Sequence, residues 1–444
     1  MMAFSLTAQL ELRPDLQIIE FDSATYAKSY RVELQDGRHF QINEKLYHLL
    51  DILRVPTPLT ALASAFQQRT GQSVTLDELQ QIGVRLAEQG IIVEQGQPVA
   101  PTTPPAIAPA LLGFQYRRDI LSPEQLAPVV NALQFCFQRP VALLLTLLIV
   151  SAHIWAYRIL GFPPDVDLSQ ISFPLYLGVT LISIALHELG HLAACRRWNC
   201  THGPLGIGLY FFMPVPYVDV TAAWRLTRQQ RAVVDIGGVY LQALVVPVCL
   251  ALYLFTQDLT FLLLVVSIDL LLLGNLEPFM KLDGYWLLSD LAGVPNLHTR
   301  TWEAVRTFFV RVQWWLRLRR TAPTATPFAQ WSRTVRGVVL VYVLLSALLW
   351  PMMILLMAPL LFQAVTTYPL LWRDALATLW TAGSQSDYGA IFGALSNLFV
   401  PTSMLLALVF SLKSTVVQLW NLRRAKAQTE QLSKATVINA ESQA

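Results

Sequence analysis

Six apolar stretches, at about 140–160, 173–195, 232–255, 259–280, 338–363 and 389–412, are each long enough to cross a ~30 Å hydrocarbon layer as a helix. In hydrocarbon every backbone N–H and C=O must be satisfied within the segment, so helices are the expected form. Hydrophobic residues make up 54% of the 444 positions and charged residues 14%, with a mean hydropathy of +0.46. That is too apolar for an ordinary soluble protein. The expected fold class is mainly α: a polytopic membrane protein with about six transmembrane helices.

The charges flanking these stretches alternate. Arg117, Arg118 and Arg139 precede the first; Arg196, Arg197, Arg225, Arg228 and Arg231 separate the second from the third; Lys281 and eight arginines separate the fourth from the fifth. The intervening loops at 161–172, 256–258 and 364–388 hold only Arg373, although Arg158 sits at the far end of the first stretch. The positive-inside rule then puts both termini in the cytosol. The N-terminus, MMAFSLTAQLELRPDLQ, has no basic segment followed by an apolar run, so no cleaved signal is expected. Cys136, Cys195, Cys200 and Cys249 form no CxxC pair and are read as reduced, buried thiols. The run Thr301 to Arg320 mixes aromatics with arginines at helical spacing, which suits an interfacial helix.

Residues 1–94 differ in kind. Residues 1–100 carry 8 Lys/Arg against 12 Asp/Glu. Strand-like runs at Gln17 to Phe21, Tyr30 to Leu34 and His39 to Ile42 include an Asp36-Gly37 turn between the last two. Asn43 should begin a first helix, Thr57 with Pro58 at the first helical position a second, and the capping box Thr75-x-x-Glu78 a third, closed by Gly90. The expectation is a small α+β, winged-helix-like domain. Its negative balance argues against nucleic acid as a partner. The proline-rich run at 95–112 reads as a spacer, 113–412 as the membrane body and 413–444 as a cytosolic tail.

The second stretch ends in LISIALHELGHLAACRRW, an HExxH motif of His187, Glu188 and His191. On a helix, positions i and i+4 share one face, so two imidazoles can reach one zinc ion while the intervening glutamate faces a water beside it. Ionisable groups inside an apolar helix are costly and mark function. His202 could support a ligand, but a polar loop histidine is the simpler reading; His153 reads as a packing residue, and Cys195 as a buried thiol.

At this motif the chain resembles the site-2 protease family of intramembrane zinc metalloproteases. A second match is NLEPFMKLDG, where Asn275, Pro278, Leu282, Asp283 and Gly284 are similar to the family's N-x-x-P-x-x-x-L-D-G signature. The continuation DGYWLLSDLAGVPNL looks like a bacterial subgroup of peptide zinc metalloproteases. The resemblance implies that Zn²⁺ is the cofactor, that Asp283 is the third ligand, and that Asn275 holds substrate or the developing oxyanion. It also implies a bacterial inner-membrane location. Gly237-Gly238-Val239 departs from the Gly-Pro of relatives and leaves the role of Gln242 open. Residues 1–94 look like PqqD-like peptide-binding domains.

Helix geometry and resemblance disagree on the third ligand. Along an unbroken helix Asp283 lies ~21 Å beyond Asp269, and Asp269 is the carboxylate at the better depth. Pro278 breaks the helix, however, and Gly284 permits an unusual backbone, so the chain can turn back toward the histidines. Asp283 is therefore the expected ligand. GIGLYFF and YVDV, separated by MPVP, are expected to form a membrane-associated hairpin whose edge could pair with an unwound substrate; Asp219 and Trp224 stay open between packing and substrate contact.

The expected function is hydrolysis of a peptide bond in a membrane-associated or leader-bearing peptide near the cytosolic face. The alternative is a non-proteolytic membrane partner in peptide maturation or export, with zinc transport third. Intact Glu188 favours hydrolysis, since neither alternative needs a general base. Titrating the detergent-solubilised chain with duplex DNA should give no tight, salt-dependent binding, and a Kd that weakens steeply with added salt would overturn this charge argument.

Overall fold

A computed structural model describes residues 8–24, 28–34, 39–96, 116–161, 171–210, 213–279, 281–316 and 331–385, with a few positions between 390 and 402. The Asp36-Gly37 turn, nearly all of the proline-rich spacer, most of the sixth apolar stretch and the tail lie outside the described residues.

In the N-terminal unit, β1 (Gln9–Leu12) pairs antiparallel with β5 (Thr57–Pro58) and β6 (Ile92–Glu94). A second sheet runs β2 (Gln17–Glu20), β3 (Ser29–Glu33), β4 (His39–Asn43), with Val32 opposite Ile18 and Phe40. Three helices follow: α1 (Glu44–Ile52), α2 (Leu59–Thr70) and α3 (Leu76–Glu88). Asn43 caps α1 by accepting from Leu46 N at 2.9 Å, and Thr75 and Glu78 form the capping box of α3. Thr57 does not begin α2. Pro58 is its N-cap, because Thr57 and Pro58 are drawn into pairing with Leu10 and Gln9. Leu10, Leu50, Leu53, Leu59, Leu62, Leu79 and Ile91 are sealed in one core, and each such side chain contributes about 1.5–3 kcal/mol on leaving water.

The body is mainly helical. It comprises α4 (Pro123–Leu133), α5 (Arg139–Leu160), α6 (Phe173–Arg197), α7 (Arg228–Ala243), α8 (Val245–Thr256), α9 (Thr260–Asn275), α10 (Asp283–Ala292), α11 (Leu297–Trp315) and α12 (Arg333–Gln385). Among the described residues three segments are long and apolar enough to cross a membrane: Arg139–Ile159, Phe173–Arg197 and Arg228–Thr256. Leu143, Leu144, Leu147 and Leu148 stand exposed along α5.

The other expected spans differ from their sequence boundaries. The third is broken at Leu244 between α7 and α8, because Pro247 cannot donate to the Ala243 carbonyl. The fourth ends at Asn275, ahead of Pro278, and its 16 residues make a helix of ~24 Å. The loop expected at 364–388 is helical to Gln385, as the last part of the 53-residue α12. Its Thr366 and Thr378 hydroxyls bond back to carbonyls four residues earlier, and α12 runs on past Pro351, Pro359 and Pro369.

The hairpin expected from GIGLYFF and YVDV also has a different register. β8 (Leu205–Tyr210) and β9 (Met213–Val218) pair antiparallel, so MPVP belongs to the second strand rather than to the turn. Pro214 and Pro216 alternate along β9, an edge strand, where a missing N–H disrupts no ladder on the open side. A third strand, β7 (Tyr116–Leu121), pairs with the other side of β8; Arg117 and Arg118, read from sequence only as flanking charge, lie in it.

Asp269 ties α9 to α5. Its carboxylate oxygens meet His153 Nε2 at 2.9 Å and accept from the Tyr157 hydroxyl at 2.7 Å. This packing role accounts for both ionisable residues. Asp269→Ala should therefore lower stability in detergent by about 1–2 kcal/mol, read by thermal unfolding, and leave metal binding unchanged.

Candidate metal centre

The HExxH segment is the buried end of α6: Ser183, His187, Glu188, Gly190 and His191 are all buried. Here α7 crosses α6 at backbone contact. A Cβ on Gly190 would run into the Gly237 carbonyl oxygen, and one on Gly238 would overlap His191 Nε2 and come within 2.8 Å of His187 Nε2. Small residues permit this approach, as they do between helices in membranes generally. The Gly237-Gly238 pair is thus required by the crossing.

The crossing also supplies partners for the imidazoles. His187 Nδ1 donates to Gln242 Oε1 at 2.9 Å, and Gln242 Nε2 donates to Ser183 Oγ at 3.0 Å. His191 Nδ1 donates to the Val234 carbonyl at 2.8 Å. With both Nδ1 positions committed as donors, each Nε2 keeps a lone pair, and the two Nε2 atoms face each other at 3.2 Å.

Asp283 completes the cluster. After α9 ends, the chain through Pro278 is held by Tyr342, whose hydroxyl donates to the Pro278 carbonyl at 3.0 Å, and by His298, whose Nε2 donates to the Phe279 carbonyl at 3.0 Å. Asp283 then opens α10, with the carboxylate at a helix N-terminus, where the dipole favours negative charge. Gly284 is helical; it is glycine because the Leu276 carbonyl oxygen packs where a Cβ would sit. Asp283 Oδ2 is buried, 2.9 Å from His187 Nε2 and 3.5 Å from His191 Nε2, and is aligned for a hydrogen bond to neither.

Donor atoms of His187, His191 and Asp283 therefore lie within 4.8 Å of one another. Two lone-pair nitrogens and a buried carboxylate oxygen facing one another are mutually repulsive unless a cation lies between them, and a His₂-carboxylate set with room for a further ligand suits zinc. The residues fit a metal ion.

The cluster opens on a cavity of about 510 Å³. Glu188 and Asn275 line it, as do β9 from Val215 onward, Trp224 and Trp286. So do Gln242, Arg231, Asp235 and Asp290, none of which the motifs had assigned. Their signal was polarity within or beside apolar helices. Asp219 lines the cavity and also accepts from Thr221 N at 2.9 Å. His202 stays in its loop beside the Gly203 carbonyl, and Cys195 is packed among Phe137, Ala193 and Ala194. Asp269 is absent from the cluster, held instead by His153 and Tyr157.

No family model and no solved structure matches the chain. Over 112 residues it is 29% identical to "Putative peptide zinc metalloprotease protein YydH" of Bacillus subtilis (strain 168), an alignment covering 24% of this chain. The chain spans under half the length of that relative, 44%.

Gly238→Ala should weaken zinc binding at least about tenfold, because a methyl group would displace both Nε2 atoms. Gly178→Ala on α6, the helix that carries the two histidines, meets nothing within 4 Å and is the control. Calorimetric titration of the two variants reads the difference, and equal affinities would overturn this account of the crossing.

Proposed function

We propose that the protein is an intramembrane zinc metalloprotease of the site-2 protease type, cleaving a membrane-associated or leader-bearing peptide near the cytosolic face. The observation that carries this reading is the convergence of His187, His191 and Asp283 on a cavity that also holds Glu188. The similarity to a bacterial protein named as a peptide zinc metalloprotease supports it.

In this reading His187, His191 and Asp283 hold Zn²⁺, with Gln242 and the Val234 carbonyl fixing the imidazoles. When bound, zinc supplies Lewis-acid polarisation of the scissile carbonyl and makes water acidic enough to ionise near neutral pH. Glu188 takes the proton from the attacking water and returns it to the leaving amine. Asn275, also on the cavity wall, donates to the carbonyl oxygen as it gains charge. The substrate lies extended along the open edge of β9, with its backbone paired to the strand and its scissile bond beside Glu188. A general base in the cavity favours hydrolysis over a scaffold in peptide maturation or export.

The remaining parts of the reading follow from the sequence. The chain crosses a bacterial inner membrane about six times with both termini cytosolic, and α11, with Trp302, Phe308, Phe309, Trp314 and Trp315 exposed, rests in the headgroup zone. The N-terminal unit is a PqqD-like domain that captures the peptide.

Glu188→Gln should retain zinc and lose cleavage by roughly 10²–10⁴-fold. Mass spectrometry of peptides released by cells carrying either form, with zinc content of the purified proteins, checks both. Undiminished processing by the variant would sink the protease reading.

A further inference from the structure

Arg231 lies in the first turn of α7, three residues before Val234, and is only 3% exposed. Its guanidinium donates in three directions: Nε to Asp290 Oδ1 of α10 at 2.8 Å, Nη1 to the Leu226 carbonyl at 2.9 Å, and Nη2 to the Asp22 carbonyl of the N-terminal unit at 3.1 Å. Its Cζ also lies 4.8 Å from the ring centre of Phe21 and 5.6 Å from that of Trp224. One buried cation thus joins three parts of the chain.

Weaker contacts surround it. Arg228 Nε meets Asp22 at 2.9 Å and Arg225 Nη2 meets Glu33 at 2.7 Å. Gly293 O accepts from Ala24 N at 2.9 Å and from Ser23 Oγ at 3.1 Å. Exposed pairs of this kind contribute little individually. Removing a buried guanidinium, by contrast, would strand Asp290 and two carbonyls without their donor.

The elements that meet at Arg231 are those that build the candidate metal centre. α7 carries the Val234 carbonyl and Gln242, which hold the two imidazoles. α10 begins with Asp283, and Asp290 lies two turns further along it. The third element is the N-terminal unit, which reaches the guanidinium through Phe21 and Asp22. The same unit meets α7 through Arg228 and the end of α10 through Gly293.

We propose that Arg231 is a positioning residue through which docking of the N-terminal unit and metal binding reinforce each other. Both need α7 and α10 held at one separation, and the guanidinium sets it. The inference rests on zinc being held by His187, His191 and Asp283 and not on proteolysis. Thermodynamic linkage makes the coupling reciprocal.

The test uses the full chain in detergent, with zinc itself as the probe. Zinc affinity is read by competition with a chelator, and docking by hydrogen exchange at residues 21–24 with and without zinc. In the unmodified protein zinc should slow exchange at these amides. The Phe21→Ala/Asp22→Ala variant, which touches no metal-binding residue, should speed their exchange and weaken zinc binding by about 5–20-fold. Arg231→Lys keeps the charge but not the three-way bonding, and should lose both the zinc affinity and the zinc-dependent protection. Should Arg231→Lys fail to fold, the double variant still decides the matter. Faster exchange at 21–24 with zinc affinity within twofold of the original would reduce Arg231 to a structural role and overturn the coupling. A full chain that binds no zinc overturns the metal centre and the coupling together, while loss of cleavage alone touches neither.

Discussion

The crossing of α6 and α7 at Gly190, Gly237 and Gly238 is the contact on which the rest of the site depends. Close packing of small residues and hydrogen bonds to the imidazoles hold the two helices at this distance. Without a Cβ at these positions the two backbones meet, and that approach brings the Val234 carbonyl and Gln242 within reach of the imidazoles. The same contact packs the helices and orients the histidine lone pairs. A larger residue at either helix would separate the backbones and release both rings.

The second constraint is the end of α9. A carboxylate that meets two histidines inside an apolar bundle arrives here on irregular backbone, whose freed polar groups need partners. Here Tyr342 of α12 and residue His298 of α11 hold the Pro278 and Phe279 carbonyls that the broken helix leaves open. Elements far along the chain thus stabilise the turn that returns Asp283. Asp269, by contrast, is satisfied within straight helices by His153 and Tyr157, and joins α9 to α5 at a level the metal cluster does not use.

The cavity wall is assembled from distant segments: α6, β9, α7, the α9 end and α10. The N-terminal unit approaches this wall from outside, with Phe21 stacked near Trp224, and Trp224 against Trp286. An N-terminal unit with its own apolar core therefore shares side chains with the helical body. The groups at the centre of this contact, Phe21, Trp224 and Arg231, are aromatic or cationic, so they can bury a large surface while keeping their polar atoms bonded.

Much of the chemistry was legible in local sequence. The spacing of His187, Glu188 and His191 needs only helical periodicity to share a face, and the capping residues Asn43, Thr75 and Glu78 act within one turn of themselves. The long apolar stretches marked α5, α6 and the α7–α8 pair for the same reason. What sequence misread were boundaries set by partners: Thr57 and Pro58 joined a strand because Leu10 and Gln9 lay opposite, and MPVP entered β9 because β8 fixed its register. The expectation of Asp283 over Asp269 rested in sequence on a motif resemblance and on the helix break at Pro278, since helix rise alone pointed the other way. Which carboxylate lies beside His187 and His191 is a matter of tertiary structure, because that distance depends on how the chain bends after Asn275 and on what holds the bend. The roles of Gln242, the Val234 carbonyl and Arg231 were not legible for a related reason. Their roles come from contacts across 55, 43 and 209 residues of chain, and no periodicity records which residue a folded backbone will bring to that place.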